Sequence, residues 1–266
     1  MQTFLAVTPG EEQAAARFRR PLAHVAYRIG TESVLLRRNL LLQTRGGLLS
    51  VSDRDAPPID DPGALCAAVL RECSRRGYQG VLLDFEEPSR PDRRDFVRQL
   101  GAALAPGRRT LYVPEAYGAC SASAVVLINA AVSGGSFTDF LRETAREHGA
   151  PGRLALDLER LRMDFPLPAP TGCGTPLSGE ELRRLMERES PAVFFSPELC
   201  ARYFTYMSKE TGAHFVLFDD GETLRRKMEV ARRLGIRVFL APWAQVEEYA
   251  ALLGLSRGQG AVRAVL

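Results

Sequence analysis

Short apolar runs recur along the chain, each closed by glycine or proline and followed by a stretch with helical spacing. Thr3 to Thr8 reads as a first strand ended by Pro9-Gly10, and Glu11 to Arg19 as a helix with an Ala-rich face. His24 to Ile29 alternates as a second strand. Leu40-Leu41-Leu42-Gln43 and Leu48 to Asp53, split by Gly46-Gly47, form a third strand region. Asp60 or Asp61 caps a helix with Pro62 in its first turn, and Gly77 stops it after Arg76. The apolar run Val81-Leu82-Leu83 follows, then a helix over Pro91 to Leu104, strands at Thr110 to Glu115 and Ala124 to Asn129, a helix opened by Ser136, and a seventh strand at Arg153 to Leu158.

Strands that return about every 25–30 residues with helices between them are the mark of βαβ units. The pattern predicts an α/β chain, a (β/α)8 TIM barrel forming a single domain over residues 1–266. The competing architecture, a doubly wound open sheet, lacks its usual Gly-rich phosphate loop, since Pro9-Gly10-Glu11 contains no GxGxxG. The rhythm breaks over residues 162–216, where Pro166, Pro168, Pro170 and Pro176 mark an irregular segment. After it come a capped helix from Ser178 and aromatic strands at Val193 to Phe195, Arg202 to Tyr206 and His214 to Phe218. This predicts a small α+β insertion between strands 7 and 8. Asp219-Asp220 then caps a helix to Arg233, Gly235 to Trp243 is the eighth strand, and Gln245 to Leu253 the last helix.

Candidate chemistry concentrates after the fourth strand, in Gly80-Val81-Leu82-Leu83-Asp84-Phe85-Glu86-Glu87-Pro88. Side chains alternate along a strand, so Leu82, Asp84 and Glu86 share a face, with the two carboxylates roughly 6–7 Å apart. Acids and a proline also open helices, which accounts for Glu87 and Pro88 but not for Asp84 inside the apolar run. Asp53, Glu115, Tyr117, Asn129, Asp157 and Glu159 are further polar residues near predicted carboxyl ends of strands, where such barrels hold ligands.

Composition narrows the classes. A hydrophobic share of 45% and a charged share of 25% are those of a soluble globular chain, and no apolar run approaches the ~20 residues of a membrane span. The net charge is +3, and the arginines are scattered among acids, which argues against a nucleic-acid surface. Cys66, Cys73, Cys120, Cys173 and Cys200 are an odd count without CxxC spacing, so neither a metal site nor a disulfide framework is expected. Met1-Gln2-Thr3-Phe4-Leu5 shows no basic n-region, so no signal peptide is visible.

Two segments carry a family resemblance. Gly80 to Glu86 is similar to the DxxDxDxE motif of glycoside hydrolase family 18. The stretch from Tyr203-Phe204-Thr205-Tyr206 through His214 to Asp220, Lys227 and Trp243 resembles that family's aromatic insertion, following helix and final strand. The likeness is to the bacterial spore-cortex and chitinase-like branch. It implies a substrate-assisted retaining glycosidase acting on N-acetylglucosamine-containing glycan, needing no cofactor. Glu86 would be the general acid, Asp84 would orient the acetamido group, and the acetamido oxygen would be the nucleophile. Partial burial beside Asp84 would keep Glu86 neutral. Trp243 reads either as an apolar floor under a sugar ring or as core packing at a barrel end. Three departures stand out. Gln79 and Leu82 replace motif acids, Ala131 falls where the family has a carbonyl-holding Tyr, and Arg160-Leu161 lies where the seventh strand has Tyr-Gly. The alternative is a non-catalytic glycan-binding or spore-assembly protein on the same barrel.

Overall fold

The computed structural model describes residues 1–38, 45–86, 89–169 and 172–255. β1 (Gln2–Val7) leads through α1 (Glu12–Ala16) to β2 (Leu22–Ile29), and the short β3 (Leu35–Arg37) folds back antiparallel on β2. There follow β4 (Leu48–Ser52), α2 (Pro62–Arg76), β5 (Gly80–Asp84), α3 (Pro91–Leu104), β6 (Thr110–Pro114), β7 (Val125–Asn129), α4 (Phe137–Glu147) and β8 (Leu154–Asp157). Only a 3-10 turn, Glu115–Cys120, occupies the place of a helix between β6 and β7. β9 (Arg162–Pro166), β10 (Thr175–Pro176), α5 (Gly179–Glu189), β11 (Phe194–Ser196), β12 (Ala201–Ser208) and β13 (Gly212–Phe218) come next. α6 (Gly221–Arg233), β14 (Val238–Pro242) and the single turn α7 (Trp243–Val246) end the described chain.

β1, β2, β4, β5, β6, β7, β8 and β14 pair in parallel, and β1 bonds both β2 and β14. The sheet therefore closes on itself as a (β/α)8 barrel. Its interior is filled by one side chain or more from every strand: Phe4, Ala23, Leu48, Leu82, Tyr112, Leu127, Ala155 and Leu240. The outward residues between them, such as Val81, Leu83, Leu154 and Leu156, pack under the helices. Both faces of each strand are thus apolar, as in any parallel sheet covered by helices. Gly77 ends α2 in the left-handed region, at φ 68°. Gly80 has a different reason to be glycine: a Cβ there would lie 2.4 Å from the Thr110 carbonyl oxygen, so only a bare Cα lets β5 lie against β6.

The Leu40–Gln43 half of the expected third strand lies outside the described residues, as do Glu87, Pro88 and Pro170, and the half from Leu48 is β4. The structure departs from the sequence pattern in two places. Arg162–Pro166, expected to be irregular, is β9. Its partner is β13, with Phe165 opposite Phe215, some fifty positions away, so no local signal marks it. The last helix shortens to α7 and a 3-10 turn at Glu247–Tyr249.

The residues between β8 and α6 form a five-stranded antiparallel sheet, β10-β9-β13-β12-β11. α5 covers it, placing Leu182 and Leu185 on Phe204, Val216 and Phe218. A buried ion pair joins this unit to the barrel. Lys227 Nζ donates to Asp219 Oδ2 at 2.7 Å and to the Ala130 carbonyl at 2.8 Å, with neither side chain exposed. The same Asp219 oxygen accepts from the Leu161 backbone N–H.

Candidate functional site

β5 delivers Asp84 and Glu86 to the carboxyl end of the barrel because the residue between them is held outward. The Phe85 ring packs edge-on against Tyr117, with ring centres 5.5 Å apart, and lies beneath the Arg93 guanidinium. Beyond β5 the chain is pinned by Asp53, whose Oδ1 accepts the Glu86 backbone N–H at 2.9 Å. Asp53 is fully buried and faces Arg93 at 3.6 Å.

The two acids open on a hollow of about 280 Å³, lined also by Pro114, Leu127, Asn129, Asp157, Glu159 and Leu240. Asp84, Asp157 and Glu159 line it with no ion-pair partner among the described residues. Asn129 is spent locally: its amide donates to Glu159 Oε2 at 2.7 Å, and its carbonyl oxygen accepts the Ala131 N–H at 2.7 Å. Asp157 Oδ1 is enclosed and has no hydrogen-bond partner among the described residues. Burial, then the charges of Glu159 and Asp84, push the Asp157 carboxyl up to about 8. Burial and then Glu86 also raise Asp84, against a pull downward from Arg54.

Arg54 is the residue that sequence reasoning missed. Its Nε donates to Glu86 Oε2 at 3.1 Å, and its terminal nitrogen to Oε1 at 2.5 Å. Glu86 is not partly buried as expected but 49% exposed, with a guanidinium across both oxygens. The signal lay in strand register. Ser52 pairs with Asp84, so two residues further along both strands Arg54 meets Glu86.

The other candidates divide. Asn129 and Asp157 join Asp84 and Glu86 around the hollow. Trp243 does not: its ring is 1% exposed and packs on Phe18 with centres 5.0 Å apart, so it is core and not a sugar floor. Tyr117 is likewise enclosed against Phe85, and Asp53 spends its carboxylate on backbone and Arg93. Glu115 points away toward His148, 3.8 Å off. A larger groove of about 920 Å³ runs between α5 and the start of α6, past Leu182, Met186 and Phe218, but neither Asp84 nor Glu86 reaches it.

No family model and no curated protein matches the sequence. Solved structures do match. The Bacillus cereus spore cortex-lytic enzyme SleL superimposes at TM-score 0.68 with 15% identity, over 97% of this chain and 75% of that one. The class V chitinase of Nicotiana tobaccum gives 0.68 with 11% identity, over 95% and 98%. A GH18 chitinase mutant of Cycas revoluta, solved with (GlcNAc)4, gives 0.66 with 13% identity, over 96% and 98%. The fold is that of glycoside hydrolase family 18. In this family 18 fold, the Asp84 and Glu86 strand is the fourth of the barrel, and the α5 sheet is the insertion between strands seven and eight.

Proposed function

We propose that the protein acts on N-acetylglucosamine-containing glycan, of the peptidoglycan, cortex or chitin type, at the mouth of its barrel. Asp84 accepts the N–H on the sugar's C2 nitrogen and so orients the acetamido group. Its carbonyl oxygen attacks the anomeric carbon while Glu86 protonates the departing oxygen, and the retaining reaction needs no enzymic nucleophile. The observation that carries this reading is the projection of Asp84 and Glu86 from one strand into a hollow at the barrel mouth. The (GlcNAc)4 held by the Cycas chitinase and the cortex-lytic action of SleL support the substrate class.

Glu86 can work as an acid only after Arg54 leaves it. Both side chains are about half exposed, and such a pair is worth only about 0–1 kcal/mol, so an arriving sugar can displace it. The test is Glu86→Gln. Hydrolysis of N-acetylglucosamine oligomers or cortex fragments should vanish while the melting temperature holds; full activity in the variant would remove Glu86 from the mechanism.

A second reading, glycan binding without turnover, is favoured by one feature. Ala131 brings no hydroxyl to hold the acetamide oxygen, and its N–H is already taken by Asn129. Wild-type protein that binds oligomers but releases no product would decide for it.

A further inference from the structure

We infer that the site continues into a neighbouring cleft whose Arg162 holds a carboxylate, so that the glycan it takes carries an acidic hexosamine, one bearing a lactyl ether, beside its N-acetylglucosamine unit. The inference rests on the glycan reading above and adds to it one further position and the chemistry of that position.

The cleft encloses about 360 Å³ where the insertion leaves the barrel. Asn129 and Glu159 line both this cleft and the hollow of Asp84 and Glu86, so the two spaces share a wall. The other sides come from Ser133, from Arg162 and Met163 at the start of β9, and from Leu177 just ahead of α5.

Two arginines line the cleft, and they differ. Arg160 is spent: its Nε and one terminal nitrogen donate to the Asp219 carbonyl, the other terminal nitrogen donates to Glu248, and its plane lies over the Tyr249 ring. The guanidinium of Arg162, half-buried, makes no hydrogen bond and no ion pair among the described residues. Burial and then the charge of Arg160 push it below its ordinary value, while Glu159 and Glu248 pull it back from a distance. The acid in the shared wall does not serve as its partner, because Glu159 Oε2 takes the Asn129 amide at 2.7 Å. Gly179, the first residue of α5, leaves the guanidinium its room: a Cβ there would lie 3.1 Å from a terminal nitrogen of Arg162.

A guanidinium is a flat fork of donors that accepts nothing, and a carboxylate is its complement in both shape and charge. A neutral N-acetylglucosamine unit offers amide and hydroxyl oxygens, each able to take an N–H, but no charge. A lactyl carboxylate offers both. With one sugar over Asp84 and Glu86, the side group of the next reaches the cleft across Asn129. Arg162 thereby separates an alternating acidic glycan from a uniform chitin-type one.

Three ligands test this by calorimetric titration of the full chain at about pH 7, where the carboxylate is ionised. They are the N-acetylglucosamine tetramer, an alternating N-acetylglucosamine and N-acetylmuramic acid tetramer, and the alternating tetramer with its carboxylates converted to methylamides. The acidic tetramer should bind at least about tenfold more tightly than the other two, as one charge-assisted pair gives. That margin should shrink as salt is added. Arg162→Gln should remove the margin and leave affinity for the N-acetylglucosamine tetramer unchanged, and Arg162→Lys should keep part of it. Arg54→Gln should keep all of it, which separates the cleft from the rim of the hollow. Equal binding of the acidic and neutral tetramers, or a margin that survives Arg162→Gln, overturns the inference and leaves the glycan reading standing. An Arg162→Gln protein weakened equally toward every tetramer would show a structural role only, and also overturns it. Binding of no tetramer overturns both.

Discussion

Replacing Asp157 by Asn removes the group whose protonation the hollow distorts most, and the consequence should be visible in stability. In the folded chain its carboxyl stays protonated up to about 8, against an ordinary 3.8. Between those values the folded state holds a proton that the unfolded chain has released. The contribution of Asp157 to wild-type stability must then fall as pH rises from about 4 to 8, and this group adds nothing further above that. At full strength the difference amounts to at most about 6 kcal/mol. Effective dielectric screening and adjustment of Asp84 and Glu159 bring the expected figure to about 2–3 kcal/mol. Asparagine has the same shape, does not titrate, and supplies an amide that can donate to its acidic neighbours. The two proteins should therefore melt nearly together at about pH 4–5 and diverge as the pH rises. At pH 8 the Asn variant should be the more stable by about 5–10 °C, taking about 2–4 °C per kcal/mol for a chain of this size. Thermal unfolding followed by circular dichroism, in matched buffers across that range, measures it. Curves that stay parallel, or an Asn variant less stable at pH 8, would refute the claim that Asp157 is buried among uncompensated negative charge.

Lys227→Met should cost about 3–5 kcal/mol in urea unfolding, because Asp219 would be left charged and enclosed, and adding Asp219→Asn should recover part of the loss. Trp243→Ala should cost about 3–5 kcal/mol through the cavity it leaves beside Phe18, yet leave glycan affinity per folded molecule unchanged; a matching fall in affinity would return Trp243 to the site. Arg54→Gln should shift stability by no more than about 1 kcal/mol and raise the hydrolysis rate by freeing Glu86, whereas a lowered rate would mean that Arg54 holds substrate.

The barrel was readable because strand runs, caps and glycine stops repeat at one spacing, and each repeat is local. The strand β9 was not, because its pairing depends on residues of β13. At the mouth, one rule sorts what the hydrophobic pattern alone leaves mixed. In a parallel barrel both faces of a strand are apolar, so hydrophobicity does not mark which parity faces inward. Once Leu82, Leu127, Ala155 and Leu240 are known to fill the interior, alternation assigns every later residue on those strands. Asp84 and Glu86 follow Leu82 inward, Asn129 follows Leu127, and Asp157 and Glu159 follow Ala155. Trp243 is an odd step from Leu240 and turns outward, as its contact with Phe18 requires. Glu115 is an odd step from the interior Tyr112, and Asp53 from Ser50, which lies in register with Leu82; both also turn away. The candidates that reach the hollow and those that do not were therefore separable by counting from one interior residue per strand. Arg54 is the exception that counting along a single strand misses. It comes to Glu86 through the register between β4 and β5, so the partner that governs the proposed acid is a property of two strands together.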